Sequence, residues 1–548
     1  MNRLYYILIL LVFATVTTRA QYNLGVATGN WSGTQSLYLN PAAIADNNER
    51  FVIDIFSITG GLENSLGTIS KSGGLLDVIN KGSTDNLFSY SGNNQFSLLA
   101  PYVQAHLPGV MVSIGKKLSL ALTTGVRGMN QFNNFDRSLY RTLTDPTYLP
   151  DGNLVLTSNK FNYTAHVWSE VGLSCGAVLF QNAQHELKAG ITLKYLGGIG
   201  YLGLKGNNLD AQYKTNNDSL FVSHSDIEFA SNIISTKSAI LNGVSNHNIF
   251  SEFFGSKDGR GMGADFGLIY EFTPKQKKEE KPVAKGDKVK EKKNTEKNYL
   301  FRISAAITDI GSIKYGKDNN SNATVTGNGI ISGKDFSANV TNFEDFRTYA
   351  KSHGFTADTS HQDTKVYMPT TLHLAADYHA WKRFYVNATF IANLANRQNF
   401  GNSYYNQVTV TPRYDCRLFS IGLPVTYGTM SKSMKVGLGA RISGFFIGSD
   451  DMLAMFAGNQ SGFNIYAGGY IPFHRHNKKE KAGKGEDEPE PDSEHGGSSD
   501  SSDVSFVPAY KEVNTGVVTA LSETGNVVEH NPIHHRRAVH EEMDVEKH

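Results

Sequence analysis

Cysteine is nearly missing from this chain: Cys175 and Cys416 are the only two in 548 residues. A disulfide framework is thereby excluded as the basis of stability, leaving room for one bridge at most. Long apolar runs are missing too. After the first twenty residues, nothing approaches the roughly 18 consecutive apolar residues that a membrane helix needs. Nor is there an excess of one charge: 52 Lys and Arg stand against 51 Asp and Glu, a formal net charge of +1. That balance argues against a nucleic-acid partner. Enzyme signatures are also absent, with no G-x-S-x-G elbow, no H-E-x-x-H and no phosphate loop. Single histidines such as His106, His166 and His373 read as interfacial or interior side chains rather than catalysts. The expectation is a protein that is not an enzyme and carries no cofactor.

What is present begins with Met1-Asn2-Arg3, an apolar run from Leu4 to Val16, and Thr18-Arg19-Ala20. A basic start, a short apolar core and small residues at 18 and 20 predict an export signal, residues 1–20, cut after Ala20. The chain is rich in Gly (53), Phe (31) and Tyr (26). Alternation is its main signal. From Glu186, Leu187, Ala189, Ile191, Leu193 and Tyr195 take one face of a strand, while Glu186, Lys188, Gly190, Thr192 and Lys194 take the other. Met262, Ala264, Phe266, Leu268 and Tyr270 oppose Asp265 and Glu271, and Met434, Val436, Leu438, Ala440 and Ile442 oppose Lys435 and Arg441. Repeated over some 420 residues, this pattern predicts one large closed sheet, apolar towards lipid and polar towards a lumen.

Strands are expected at 51–64, 95–114, 116–132, 161–180, 186–205, 262–273, 298–315, 367–379, 384–394, 404–427, 434–448 and 462–473. A further hairpin within 195–229 would bring 12 strands towards 14. The predicted class is all-β, a transmembrane antiparallel barrel of 12–14 strands with an N-terminal hatch and a disordered C-terminal tail. Its regions are a hatch at 21–50, a barrel at 51–473 and a tail at 474–548. The final strand puts Phe463, Ile465, Ala467, Ile471 and Phe473 on one face. An aromatic terminus at Phe473 resembles the insertion signal of outer-membrane barrels. The Lys/Glu segment 275–297 lacks periodicity and cannot bury enough apolar surface to order itself. Counting strands back from Phe473, with 404–427 kept whole, puts 206–261 and 316–366 outside and 275–297 in the periplasm.

Before the first strand stands Leu39-Asn40-Pro41-Ala42-Ala43-Ile44, where Pro suits the first position of a short helix. With this segment just ahead of a barrel, the chain resembles the FadL-like superfamily of long-chain fatty-acid transporters. It is similar also to a related family of outer-membrane barrels of unknown function. Gly263-Ala264-Asp265-Phe266-Gly267, Thr308-Asp309-Ile310-Gly311, Pro369-Thr370-Thr371-Leu372 and Gly448-Ser449-Asp450-Asp451 support the likeness. The resemblance implies that Asn40, Pro41 and Ala42 belong to a hatch folded into the barrel.

The alternation assigns Lys188, Lys194, Asp265, Glu271, Arg302, His373, Asp377, Asn387, Thr389, Lys435 and Arg441 to the lumen. Charges of both signs could line a path or pair with one another to hold a plug; a one-signed lumen would instead have favoured an ion-selective pore. His530, His534, His535 and His540 cluster near the C-terminus, but without a rigid frame they are not read as a metal site. Expected partners are outer-membrane lipid, a hydrophobic small molecule and periplasmic proteins held by the tail. Two functions stay open: passage of hydrophobic or amphipathic small molecules, and a non-transporting scaffold that works through its tail.

Overall fold

Alternation produces fourteen strands that close on themselves in the computed structural model. It describes residues 22–474, apart from 70–87, 91–94, 97–98, 116, 145–153, 215–218, 233–257, 275–298, 333–334, 337–338, 341–342, 430 and 453–460. The expected export signal, the Lys/Glu segment and the tail lie outside the described residues. The chain divides into two compact units, 1–477 and 478–548, and all that follows concerns the first.

The barrel strands are β1 (Glu49–Asn64), β2 (Leu99–Ile114), β3 (Leu118–Asn133), β4 (Phe161–Gln181), β5 (His185–Lys214), β6 (Gly259–Phe272) and β7 (Phe301–Tyr315). There follow β8 (Thr364–Tyr367 and Thr371–Trp381), β9 (Phe384–Asn393), β10 (Gln407–Asp415) and β11 (Phe419–Gly422 and Val425–Gly428). The last are β12 (Ser433–Val436 and Leu438–Ile442), β13 (Phe445–Ser449) and β14 (Gly462–His474). Each pairs antiparallel with its neighbours, and β14 returns to β1 with Phe473 opposite Phe51. Closure leaves no sheet edge, so backbone groups are satisfied between neighbours, as a lipid surrounding demands.

Burial follows the period of two. Ile191, Leu193 and Tyr195 are exposed on β5, whereas Lys188, Thr192 and Lys194 between them are buried. On β6, Met262, Phe266 and Leu268 are exposed while Asp265 and Glu271 are buried. This inside-out arrangement suits hydrocarbon outside and a polar interior. Among the described residues no helix is long and apolar enough to cross a membrane; the strands cross instead.

One rim carries the tight turns 115–117, 182–184, 382–383, 416–418 and 443–444, the two barrel ends Glu49 and His474, and the connection 273–300. The opposite rim carries the long connections. There β5 runs beyond the barrel, and its far half pairs with Ser219–Ser231. That strand pairs with Ser321–Ser332, which pairs with Phe355–Ser360. Phe135, Leu139, Phe161, Tyr213, Val325 and Phe355 belong to the apolar core of this extension.

Three sequence expectations need correction. Segment 404–427, expected whole, is two strands turning at 416–418, and 434–448 is also two, turning at 443–444. Both turns are tight, with Ser443 at φ 55°, and the inward positions change across them from odd to even: Arg413 and Asp415 give way to Ser420 and Gly422, and Gly439 and Arg441 to Phe446. The two omissions cancel in the parity count, so the chain leaves β6 for the connection 273–300 at the rim opposite the one where β5 and β7 end. The hairpin in 195–229 does form, but above the rim, so it adds no barrel strand. The two cysteines are not bridged.

Candidate functional site

Residues 22–48 fold inside the barrel as one short α-helical turn, Leu24–Ala27, and two 3₁₀ turns, Gln35–Tyr38 and Pro41–Ile44. Leu24, Val26, Leu37, Ala42 and Ile44 are buried. Asn40 caps the last turn: its Oδ1 accepts from Ala42 N at 2.8 Å, with Pro41 at the first position. Its Nδ2 donates to two wall carbonyls, Leu268 O at 3.1 Å and Ala305 O at 3.2 Å. The hatch motif is thus bonded directly to the wall.

Glycine shapes the seat. Gly176, Gly190 and Gly267 lie in register across β4, β5 and β6. A Cβ on Gly190 would collide with the Pro41–Ala42 backbone, one on Gly267 with Asn40 Oδ1, and one on Gly176 with Ile44 at 2.7 Å. A second row, Gly422, Gly439 and Gly448, lies in register across β11, β12 and β13. Here Gly25 fits so closely that a Cβ on it would stand 2.9 Å from Gly439 Cα. Strands β5 and β12 are seven apart in a ring of fourteen, so the rows face each other across the lumen. The hatch is wedged between them.

Polar bonds fix the remainder. Asp450 accepts from Leu24 N at 3.0 Å and Gly25 N at 3.2 Å, and Asp415 accepts from Asn30 N at 2.6 Å. Thr34 donates to Asp54 at 2.6 Å, and Tyr470 donates to Trp31 O at 2.5 Å.

Two ionic belts flank the seat of Pro41 and Ala42. Towards the long-loop rim, five consecutive strands give one residue each: Arg127, Glu170, Lys194, Asp265 and Asp309. Arg127 reaches Glu170 at 2.9 Å and Asp309 at 2.7 Å; Lys194 reaches Asp309 at 2.6 Å and Asp265 at 2.8 Å. Asp309 sits at φ 56° in a bulge, where its N–H donates to Asp265 at 2.7 Å. Towards the short-turn rim, Lys188 and Arg302 reach Glu271 at 2.8 and 2.7 Å, and Arg413 reaches Asp377 at 2.6 Å. Arg441 stands 3.6 Å from Asp415.

A second segment closes the lumen. The β9–β10 connection, 394–406, folds inward and crosses to β3 and β4. Gln131 Nε2 donates to Ser403 O at 2.9 Å, and its Oε1 accepts from Ser403 N at 2.5 Å. Asn162 Nδ2 donates to Arg397 O at 3.0 Å and Asn399 O at 2.6 Å. Phe400 occupies the space over Gly203, and Tyr404 is buried where Gln104 donates to its hydroxyl at 3.2 Å. Under the hatch, on the short-turn side, an open cleft lies between Leu39, Ala43, Ala45, Asn47 and Asn48 and the wall residues Arg302, His373 and Asn387.

The sequence-assigned lumen residues occupy these places: Lys188, Lys194, Asp265, Glu271, Arg302, Asp377 and Arg441 in the belts, His373 bonded to Thr308 at 3.0 Å, and Asn387 accepting from Thr389 at 2.6 Å. Lys435 pairs with Glu63 apart from both belts. Phe473 is on the outer face beside Phe51. Sequence reasoning passed over Arg127, Glu170, Asp309, Arg413, Asp415, Asp450 and the whole inward loop. Arg127 and Glu170 lie in strands whose alternation could have shown them; Asp309 and Asp450 stood in quoted motifs without an assigned role. Among the described residues there is no cluster of His, Cys, Asp and Glu suited to a metal ion.

A closed fourteen-stranded barrel of transmembrane type, plugged by its own N-terminal hatch and an inward loop, is the class of protein defined by this geometry. The chain belongs to a family described as "Family of unknown function (DUF5723)", which it matches over residues 41–450. No curated protein matches it. Similar solved structures include a Pseudomonas aeruginosa FadL homologue, at 10% identity over 83% of this chain and 96% of that one, with a TM-score of 0.34. The Pseudomonas putida toluene transporter TodX is 9% identical over 83% and 98%, with a TM-score of 0.38. The Ralstonia pickettii toluene transporter TbuX is 12% identical over 81% and 95%, with a TM-score of 0.35.

Proposed function

We propose that this protein is an outer-membrane conduit for hydrophobic or amphipathic small molecules, gated by its hatch. The observation that carries the reading is the seat of residues 22–48. They form a separate segment, wedged between two glycine rows and tied by hydrogen bonds involving side chains rather than by joining the sheet. Such a segment can leave its seat while all fourteen strands stay paired. The cleft beneath sets the apolar Leu39, Ala43 and Ala45 among polar hatch residues such as Asn30, Asn47 and Asn48, opposite wall groups that hydrogen-bond, so it offers a small apolar patch within a polar surround to an amphipathic molecule. On this reading the short-turn rim faces the periplasm, because barrels of this type keep short turns there and long loops outside.

A second reading, a scaffold without transport, draws on one observation: the connection 273–300 and the chain beyond His474 leave from the same rim. Both would then reach the same compartment and the same partners. Deleting 31–46 and, separately, 474–548 discriminates the two. A conduit predicts that the hatch deletion changes uptake of long-chain fatty acids or other apolar solutes, with the tail deletion nearly silent. A scaffold predicts unchanged uptake in both and lost co-purifying proteins on removing the tail.

A further inference from the structure

We infer that the short-turn rim is a docking collar for phospholipids with anionic headgroups. Among the described residues, every exposed charged side chain at this rim is basic: Arg50, Lys117, Lys382, Arg383 and Arg417. The opposite rim is mixed, with exposed Asp318, Asp358 and Asp363 beside Lys314, Lys317 and Lys365. One-signed charge at a single rim is not a product of composition, since the chain as a whole is nearly neutral.

The basic groups follow an arc. Lys382 and Arg383 form the β8–β9 turn, Arg417 lies in the β10–β11 turn, Arg50 stands at the start of β1 and Lys117 in the β2–β3 turn. Neighbouring strands lie about 4.8 Å apart, so successive turns on one rim recur about every 10 Å along the arc. Each position adjoins outward-facing apolar side chains: Trp381 and Phe384 at the first turn, Leu418 and Phe419 at the second, Phe473 near Arg50, and Ile114 at the end of β2 before Lys117. Lys382 Nζ lies 4.4 Å from the Trp381 ring centroid, and the Trp381 and Phe384 rings stack at 5.9 Å. Aromatic rings at a membrane interface fix the depth of the headgroups, and long basic side chains reach outward from the same level. A phosphate at that depth meets the cations while its acyl chains continue onto the apolar strand faces. The charge matches an anionic phospholipid and the adjoining apolar surface matches its tails. Free phosphate supplies only the first.

The test uses the full-length protein reconstituted in phosphatidylcholine vesicles with or without phosphatidylglycerol. Relative association of each lipid is read by spin-labelled lipid resonance for the wild type and a K117Q/K382Q/R383Q/R417Q variant. Heat-modifiable migration on a gel establishes that the variant barrel is folded. The inference predicts a preference for phosphatidylglycerol of about twofold or more, lost towards unity in the variant and weakened by salt. Inorganic phosphate at the same phosphate concentration should fail to compete. Equal association of both lipids with the wild type overturns the inference. So does an unchanged preference in the folded variant, which would assign it to other basic segments, or full displacement by free phosphate. A preference for lipopolysaccharide over phosphatidylglycerol, measured in the same way, would also overturn it.

Discussion

Gly190 and Gly267 face each other in register on β5 and β6, and Pro41, Ala42 and Asn40 occupy the space their side chains would fill. At Gly190 the colliding atoms are the Pro41–Ala42 backbone, which cannot rotate aside. Gly190→Ala should therefore unseat the hatch without unpairing the barrel. A cysteine placed at Ala43 should react with a maleimide faster in that variant, and single-channel current in a planar bilayer should rise slightly while the inward loop 394–406 stays in place. Gly316→Ala, where a Cβ would meet nothing within 4 Å, is the matched control. Equal labelling in both would refute a glycine-shaped seat.

Asp450 holds the other end of the hatch, and its buried carboxyl is raised from 3.8 to about 6 by loss of solvent. A group whose pKa is raised in the seated form binds its proton more tightly there. Seating is then favoured by acid and weakens as pH rises through the window between about 4 and 6. Hatch labelling should increase across that window in the wild type and lose the dependence in Asp450→Asn. A pH response that survives the substitution would point to another group.

Arg413 and Asp377 form a buried pair, with two nitrogens at 2.7 and 2.6 Å from the carboxylate. Asp377→Ala removes both short bonds of a buried guanidinium and leaves it only the carboxylate of Asp415, 3.7 Å away and shared with Arg441, so it should cost about 3 kcal/mol of barrel stability. Asp377→Leu with Arg413→Leu should cost less, because no charge is then left unpaired. Urea unfolding in detergent measures both, and equal losses would contradict the pairing argument.

The inward loop and the hatch block the same lumen in series. Gln131→Ala with Asn162→Ala should loosen 394–406 and expose a cysteine at Phe400, yet raise current little while the hatch is seated. Combined with Gly190→Ala, the rise should exceed the sum of the separate effects. Simple additivity would show that only one segment limits passage.

Strand parity is tested by labelling intact cells. A cysteine at Asn328 should react with an impermeant maleimide, and one at Lys285 should react only after the outer membrane is opened. Labelling of position 285 from outside would invert the proposed orientation.

The sequence by itself determined the barrel and which side of each strand faces inward. Alternation is local: apolar at 191, 193 and 195 against polar at 188, 192 and 194 needs only neighbouring residues to be read. It also marked Asn40-Pro41-Ala42 as a capped turn, because capping is local too. It did not show the turns at 416–418 and 443–444: the inward parity changes there from odd to even, but the adjacent apolar residues Leu418-Phe419 and Phe445-Phe446 blur the change of phase. Only the tertiary structure decided which charges meet. Arg127, Glu170, Lys194, Asp265 and Asp309 lie as far as 182 positions apart and are joined by strand register, which no local spacing encodes. The same holds for the hatch seat: three glycines in three strands mean nothing singly, and become a pit only when pairing sets them side by side. Nor does any pattern within 394–406 reveal that the loop folds inward, since its partners, Gln131 and Asn162, stand on the opposite wall.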